Sequence, residues 1–136
     1  MTRRRTIAHR RVEFIPKELE EGVLYVSERF RTASHLCCCG CGGRVVTPLN
    51  AAKWRLTDHG DSVTLSPSVG LGTFACRSHY WIKRGVVEWC PDMTPAQTQR
   101  ARRLDERASR LHAGERITAL GRWWTRLLSW LGLTDR

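Results

Sequence analysis

Cys37-Cys38-Cys39-Gly40-Cys41 places four of the chain's six cysteines within five positions, with His35 two residues before the first. No other feature restricts the fold as sharply. Four thiols in one short stretch cannot all meet a single small ion without ligands from a distant segment. Such a segment stands at Cys76-Arg77-Ser78-His79, where C-x-x-H sets a thiol and an imidazole across one tight turn. That spacing is one that zinc sites use. A pair from the first cluster joined to Cys76 and His79 makes a Cys3His set for Zn2+, which takes four ligands in a tetrahedron. Three pairs fit within the cluster: Cys38 with Cys41 as C-x-x-C, Cys37 with Cys41, and Cys39 with Cys41. His35 is a further candidate or a group behind the ligands. Gly40, Gly42 and Gly43 suit a knuckle that bends sharply and aims amide N–H groups at thiolates. Cys90 stands alone and reads as a small apolar side chain.

Other chemistries for the cluster lack their surroundings. A redox C-x-x-C belongs beside a βαβ pattern, which is absent. The deaminase pattern H-x-E with P-C-x-x-C is missing, and so is the helical H-E-x-x-H. There is no glycine-rich phosphate loop and no G-x-S-x-G. The reading is therefore a structural zinc site with no catalytic set and no evident small-molecule substrate. A surplus thiol, Cys38 or Cys39, is the alternative: a nucleophile for thiol transfer. A β domain of ~80 residues has a marginal core, and a structural zinc adds on the order of 10 kcal/mol to folding.

Short apolar runs between turn residues predict strands at Val12–Ile15, Val23–Val26, Thr32–Leu36, Arg44–Thr47, Lys53–Thr57, Ser62–Leu65, Tyr80–Lys83 and Val86–Trp89. His59-Gly60-Asp61 and Arg84-Gly85 close two hairpins, and Pro67, Gly70 and Gly72 mark a loop. Composition changes at Pro91. Thr94-Pro95-Ala96-Gln97 has the form of a capping box with proline at the first helical position. One helix is predicted to run to about His112 and stop at Gly114. A second, Glu115 to Leu131, carries Ile117, Leu120, Trp124, Leu127, Leu128 and Leu131 at helical spacing, widened by Trp123 and Trp130. The expected fold is mainly β: a small antiparallel zinc-stabilised β domain with a C-terminal α-helical hairpin, α+β overall. Its parts are a basic N-terminal arm (1–9), the zinc-binding β domain (10–90) and the helical hairpin (91–136).

Formal net charge is +10. The excess is spread along the chain, which raises affinity for nucleic acid or anionic surfaces without proving a function. Arg3-Arg4-Arg5 is followed by polar residues rather than an apolar run, and no stretch has the length of a membrane span. The cytoplasm is the expected location, and clustered cysteines there bind metals more often than they form disulfides.

The segments HRRVEFIPKELEEGVLYVS, ASHLCCCGCGGRVVTPL, KWRLT, VTLSPSVG and CRSHYWI, in this order, resemble the small prokaryotic family catalogued as domain of unknown function 6527. The resemblance covers His9 to about Trp89. The family's pattern is H-x-C-P-C-G-C-G followed by C-x-S-H-[YF]. It implies metal-type positions at His35, Cys37, Cys39, Cys41, Cys76 and His79. Cys38 departs from it, since proline is usual there, and this removes Cys38 from the favoured ligands. The ligand candidates are then Cys37, Cys39, Cys41, Cys76 and His79. Family members are often encoded beside ubiquitin-like modifiers and their activating and conjugating enzymes, in suspected anti-phage systems. The resemblance thus implies a protein partner, a ubiquitin-like modifier or its conjugating or activating enzyme.

The function expected is a zinc-stabilised protein-interaction module, an adaptor or ligase-like accessory in ubiquitin-like conjugation. Tyr80, Trp81 and Trp89 with Ser66-Pro67-Ser68 are a candidate binding face; the alternative is that these aromatics are core. A zinc-knuckle nucleic-acid binder is the rival reading, and the Trp-rich C-terminal helix is a candidate for contact with a membrane surface.

Overall fold

A computed structural model describes residues 2–50 and 52–130, without the side chains of residue 112 and of residues 115–130. Eight strands form two four-stranded sheets. The first holds β1 (Ala8–Arg11), β2 (Val23–Ser27), β3 (Thr32–Leu36) and β4 (Arg44–Pro48) in that order. The second holds β5 (Arg55–Asp58), β6 (Val63–Gly70), β7 (His79–Lys83) and β8 (Val86–Trp89). All neighbours are antiparallel except β1 and β2. The mainly β expectation holds.

One core joins the sheets. Leu24, Val26, Ala33 and Val45 come from the first sheet, and Val63, Leu65, Val69, Tyr80, Ile82 and Val87 from the second. In β7 the buried residues are Tyr80 and Ile82, while His79, Trp81 and Lys83 face outward in period two. Tyr80 is therefore core and unavailable as a binding face. Its hydroxyl lies 2.8 Å from Nε2 of the fully buried His35. Burial pushes His35 down to about 4, so it is a neutral core histidine.

Three local readings differ from the structure. The first strand is Ala8–Arg11 rather than Val12–Ile15. As an edge strand it carries polar side chains, and its parallel pairing with Val23–Val26 does not need an apolar pattern. Residues 1–9 are not wholly an arm. Ile7 is buried and donates its N–H to Gly85 O, and Val87 N–H donates to Arg5 O. This segment thus leaves the edge of β8 and becomes β1 of the other sheet. Third, β6 runs through Pro67 to Gly70, with a register shift between Leu65 and Val69, where a loop was expected.

The C-terminal hairpin is instead one helix, α1 (Pro95–Trp130). Gly114 lies inside it. A lone glycine costs a helix about 1 kcal/mol, and no proline follows to enforce a stop. The helix start is as predicted: Thr94 Oγ1 accepts from Gln97 N–H at 3.2 Å, and Gln97 Oε1 accepts from Thr94 N–H at 2.9 Å. The apolar stripe Ile117 to Leu131, with its tryptophans, falls on side chains outside the described set. Among the described residues no helix is long and apolar enough to cross a membrane.

Part of the basic excess is used internally. Arg11 bridges Glu28 of the β2–β3 turn and Asp58 of β5, tying one sheet to the other. The Arg11 hydrogen bond, helped by the Gly60 N–H, holds the Asp58 carboxyl below the usual carboxylate range. A carboxyl depressed in the folded state stabilises the fold above its unfolded pKa, and that stability is lost as pH falls through the folded value. Asp58→Asn should therefore lower the melting temperature slightly at pH 7. Its difference from wild type should vanish on acidification below the carboxylate range, as read by thermal denaturation across pH.

Candidate metal centre and serine–histidine pair

The knuckle between β3 and β4 takes its shape from backbone hydrogen bonds and glycines. Cys37 N–H donates to Gly43 O at 2.8 Å, and Gly40 N–H to Cys37 O at 3.1 Å. Gly42 sits at φ +76°, where a side chain would be strained. At Gly43 a Cβ would fall 2.6 Å from the Phe74 ring, so only glycine lets this loop lie against the β6–β7 connection. That connection turns back through Phe74, whose carbonyl accepts from Arg77 N–H at 3.0 Å. Arg77 adopts φ +49°, unusual for a residue with a side chain, and its guanidinium donates twice to Met93 O.

These two loops bring four thiols together. Sγ atoms of Cys37, Cys39, Cys41 and Cys76 all lie within 4.8 Å of one another. Cys37–Cys39 is 3.4 Å, Cys41–Cys76 is 3.7 Å and Cys37–Cys76 is 3.9 Å. A metal–sulfur bond of about 2.3 Å in a tetrahedron puts sulfurs about 3.8 Å apart, which these spacings match. All six cysteines are free thiols. The buried Ser78 hydroxyl lies beside the Cys37 and Cys39 thiols and favours their ionised form. Burial pushes the Cys37 thiol up. At Cys39 burial acts the same way, but hydrogen bonds from Ser78, Cys37 and Cys41 outweigh it and bring the thiol down to about 7. A cation among the four sulfurs offsets the cost of ionising the rest. The cluster can hold a metal ion.

The ligand candidates therefore divide. Cys37, Cys39, Cys41 and Cys76 converge, and His79 stands elsewhere. The four thiols could supply a tetrahedral set without an imidazole. His35 lies in the core on Tyr80. Cys38 is fully buried, outside the four, and burial pushes its thiol up to about 11. That is the opposite of what a thiol nucleophile needs.

His79 has a different partner. Its Nε2 lies 2.9 Å from Ser68 Oγ. Gly70 pairs with His79 across β6 and β7, and Ser68 is two residues before Gly70 on the same sheet face. Both side chains are half-buried and so reachable from solvent. Met93 walls the site, because a Cβ on Gly70 would fall 2.3 Å from its Sδ. Cys90 N–H donates to His79 O at 2.9 Å and fixes the histidine backbone against the residue that follows β8. A serine hydroxyl on an imidazole nitrogen is the arrangement of a nucleophile and its general base. Sequence reading passed over this pair. Its two members are eleven residues apart, and only the β6–β7 ladder brings them together.

Residues 11–90 match the family described as bacterial ubiquitination-like system serine protease (BubE). The match spans more than half of the chain, and the chain belongs to this family. It links the protein to bacterial ubiquitination-like systems. Comparison with curated proteins and with solved structures gave no match.

Purified protein should carry about one metal ion per chain by mass spectrometry. Cys76→Ser should lose it and unfold, because binding energy at such centres is folding energy on the order of 10 kcal/mol. Cys90→Ser, which touches no part of the cluster, should keep both metal and fold.

Proposed function

We propose that this family member is a serine hydrolase that cleaves acyl bonds of protein substrates in a bacterial ubiquitination-like system, with Ser68 as nucleophile and His79 as general base. The observation that carries this is the 2.9 Å contact between Ser68 Oγ and His79 Nε2 on an accessible sheet face. The family's own description as a serine protease supports it. The metal is Zn2+, which suits four thiolates in a closed tetrahedron. A closed site leaves no open position for water or substrate, so the ion is structural.

In this reading His79 Nε2 accepts the proton as Ser68 Oγ attacks the substrate carbonyl. It returns that proton to the leaving amine or alcohol, and the acyl group remains on Ser68. Water, deprotonated by the same nitrogen, then releases the acyl group and regenerates the hydroxyl. Nε2 must be free of a proton before attack, so Nδ1 carries the ring hydrogen in the active tautomer.

The substrates this implies are a ubiquitin-like modifier, its precursor or its conjugates. The setting is a cytoplasmic anti-phage conjugation system of the kind the sequence resemblance points to. We prefer hydrolysis to the adaptor or ligase-like accessory role, because an adaptor has no use for a solvent-reachable serine held on an imidazole. Cys38 is unsuited to thiol transfer for the reasons given above.

Zinc-loaded protein should be labelled covalently by an alkyl fluorophosphonate and should cleave the modifier encoded in its own system. Ser68→Ala should abolish labelling, and His79→Ala should slow it roughly 100- to 10,000-fold with zinc retained. Equal labelling of wild type and Ser68→Ala would overturn the assignment.

A further inference from the structure

The strand that carries Ser68 has one uncovered side. β5 pairs with β6 from Val63 to Ser66 and reaches no further. Beyond Ser66, β6 continues to Gly70 with β7 as its neighbour on one side. The direction of the free backbone groups follows from the hydrogen bonds around them. Leu71 N–H donates to Ser78 O, and His79 O accepts from Cys90 N–H. Gly70 and His79 are therefore a non-hydrogen-bonded pair of the antiparallel ladder. The N–H and C=O of Gly70 then point away from β7, toward the side that β5 leaves open. Gly70 is exposed, and among the described residues no turn, loop or cap hydrogen bond reaches its backbone.

A cleft of about 180 Å³ lies along this edge. Gly70 and Leu71 form one wall, Val45 and Val46 of β4 the other, and Trp54 and Phe74 contribute to its lining. β4 is itself the last strand of its sheet, and Val46 is 53% exposed. Backbone hydrogen-bonding groups at an open edge beside an apolar slot are what an extended peptide needs in order to bind by strand addition. An added strand lies about 4.8 Å from its neighbour, which brings its carbonyls alongside the strand bearing Ser68.

We propose that the substrate segment is an extended polypeptide that adds to the free Gly70 edge of β6 and lodges one apolar side chain in the cleft between β4 and β6. This rests on the hydrolase reading and names the binding mode of the same site. Ser68 and His79 then act on the outward face of that strand, and Met93 limits the room beside them. Backbone pairing supplies affinity, and the apolar slot supplies selectivity.

The test uses zinc-loaded full-length protein and two probes. An alkyl fluorophosphonate reads Ser68 reactivity alone. An acetyl-Leu-Ala-Leu-Ala diphenyl phosphonate, from which Ser68 Oγ displaces phenoxide, reads peptide binding as well. Four further copies of the peptide probe each carry one N-methylated amide. Strand addition predicts that labelling falls about tenfold or more at alternate amides and little at those between. Val46→Asp should slow the peptide probe about tenfold relative to the alkyl probe. Alkyl labelling together with a flat or non-alternating N-methyl scan would overturn strand addition and leave the hydrolase standing. A Val46→Asp variant as fast as wild type on both probes would overturn the cleft assignment. Failure of the alkyl probe on wild type would overturn the hydrolase reading, and this proposal with it.

Discussion

The four-thiol cluster is the constraint on which the rest of this structure depends. It ties the β3–β4 knuckle of one sheet to the turn that precedes β7 of the other. Cys76 is bound to the knuckle, and three residues later His79 meets Ser68. Between them Arg77 is held in an unusual backbone conformation, and the buried Ser78 lies beside the same thiols. The turn has little freedom once the sulfurs share an ion. Just beyond it, Tyr80 is locked to His35 in the core, so His79 sits between two fixed points.

That arrangement bears on how the histidine is oriented. Many serine hydrolases use a carboxylate on the second imidazole nitrogen to hold the ring. Among the described residues no carboxylate hydrogen-bonds to His79. Its position is set by backbone, through Cys90 N–H on its carbonyl and the clamped turn before it. In the proposed hydrolase, a metal held by the four thiols would act mechanically, without touching the reacting atoms. A domain with so modest a core would thereby gain rigidity beside the Ser68–His79 contact, where the proposed nucleophile and base must stay in register.

Much of the β architecture was legible because its signals are local. Strand runs such as Val23–Val26 and Val86–Trp89, and the capping box at Thr94, depend on neighbours in sequence, and they stand where predicted. Arg84 and Gly85 both adopt positive φ, as a two-residue hairpin turn requires. Clustered cysteines declared a metal-type site for the same reason. Features set by tertiary pairing were not legible. Ala8–Arg11 carries no apolar pattern, and its strand exists because Val23–Val26 offers an edge. Gly114 has the residue type of a stop signal, yet helix formers surround it. Most instructive is His79. C-x-x-H is the same string whether the imidazole joins a metal or faces a serine, and it is the ladder between Gly70 and His79 that sets its Nε2 beside Ser68. Ser68 carried no signal of its own, since S-P-S-V-G matches no nucleophile motif.

The most direct test is a crystal structure of the zinc-loaded protein after reaction with a fluorophosphonate, with anomalous data at the zinc edge. The account predicts phosphorus bonded to Ser68 Oγ beside His79 Nε2. It also predicts one zinc held by the sulfurs of Cys37, Cys39, Cys41 and Cys76, out of bonding reach of the phosphonyl group. Zinc coordinated by His79 or by a phosphonyl oxygen would contradict it, because the ion would then belong to the reaction rather than to the scaffold.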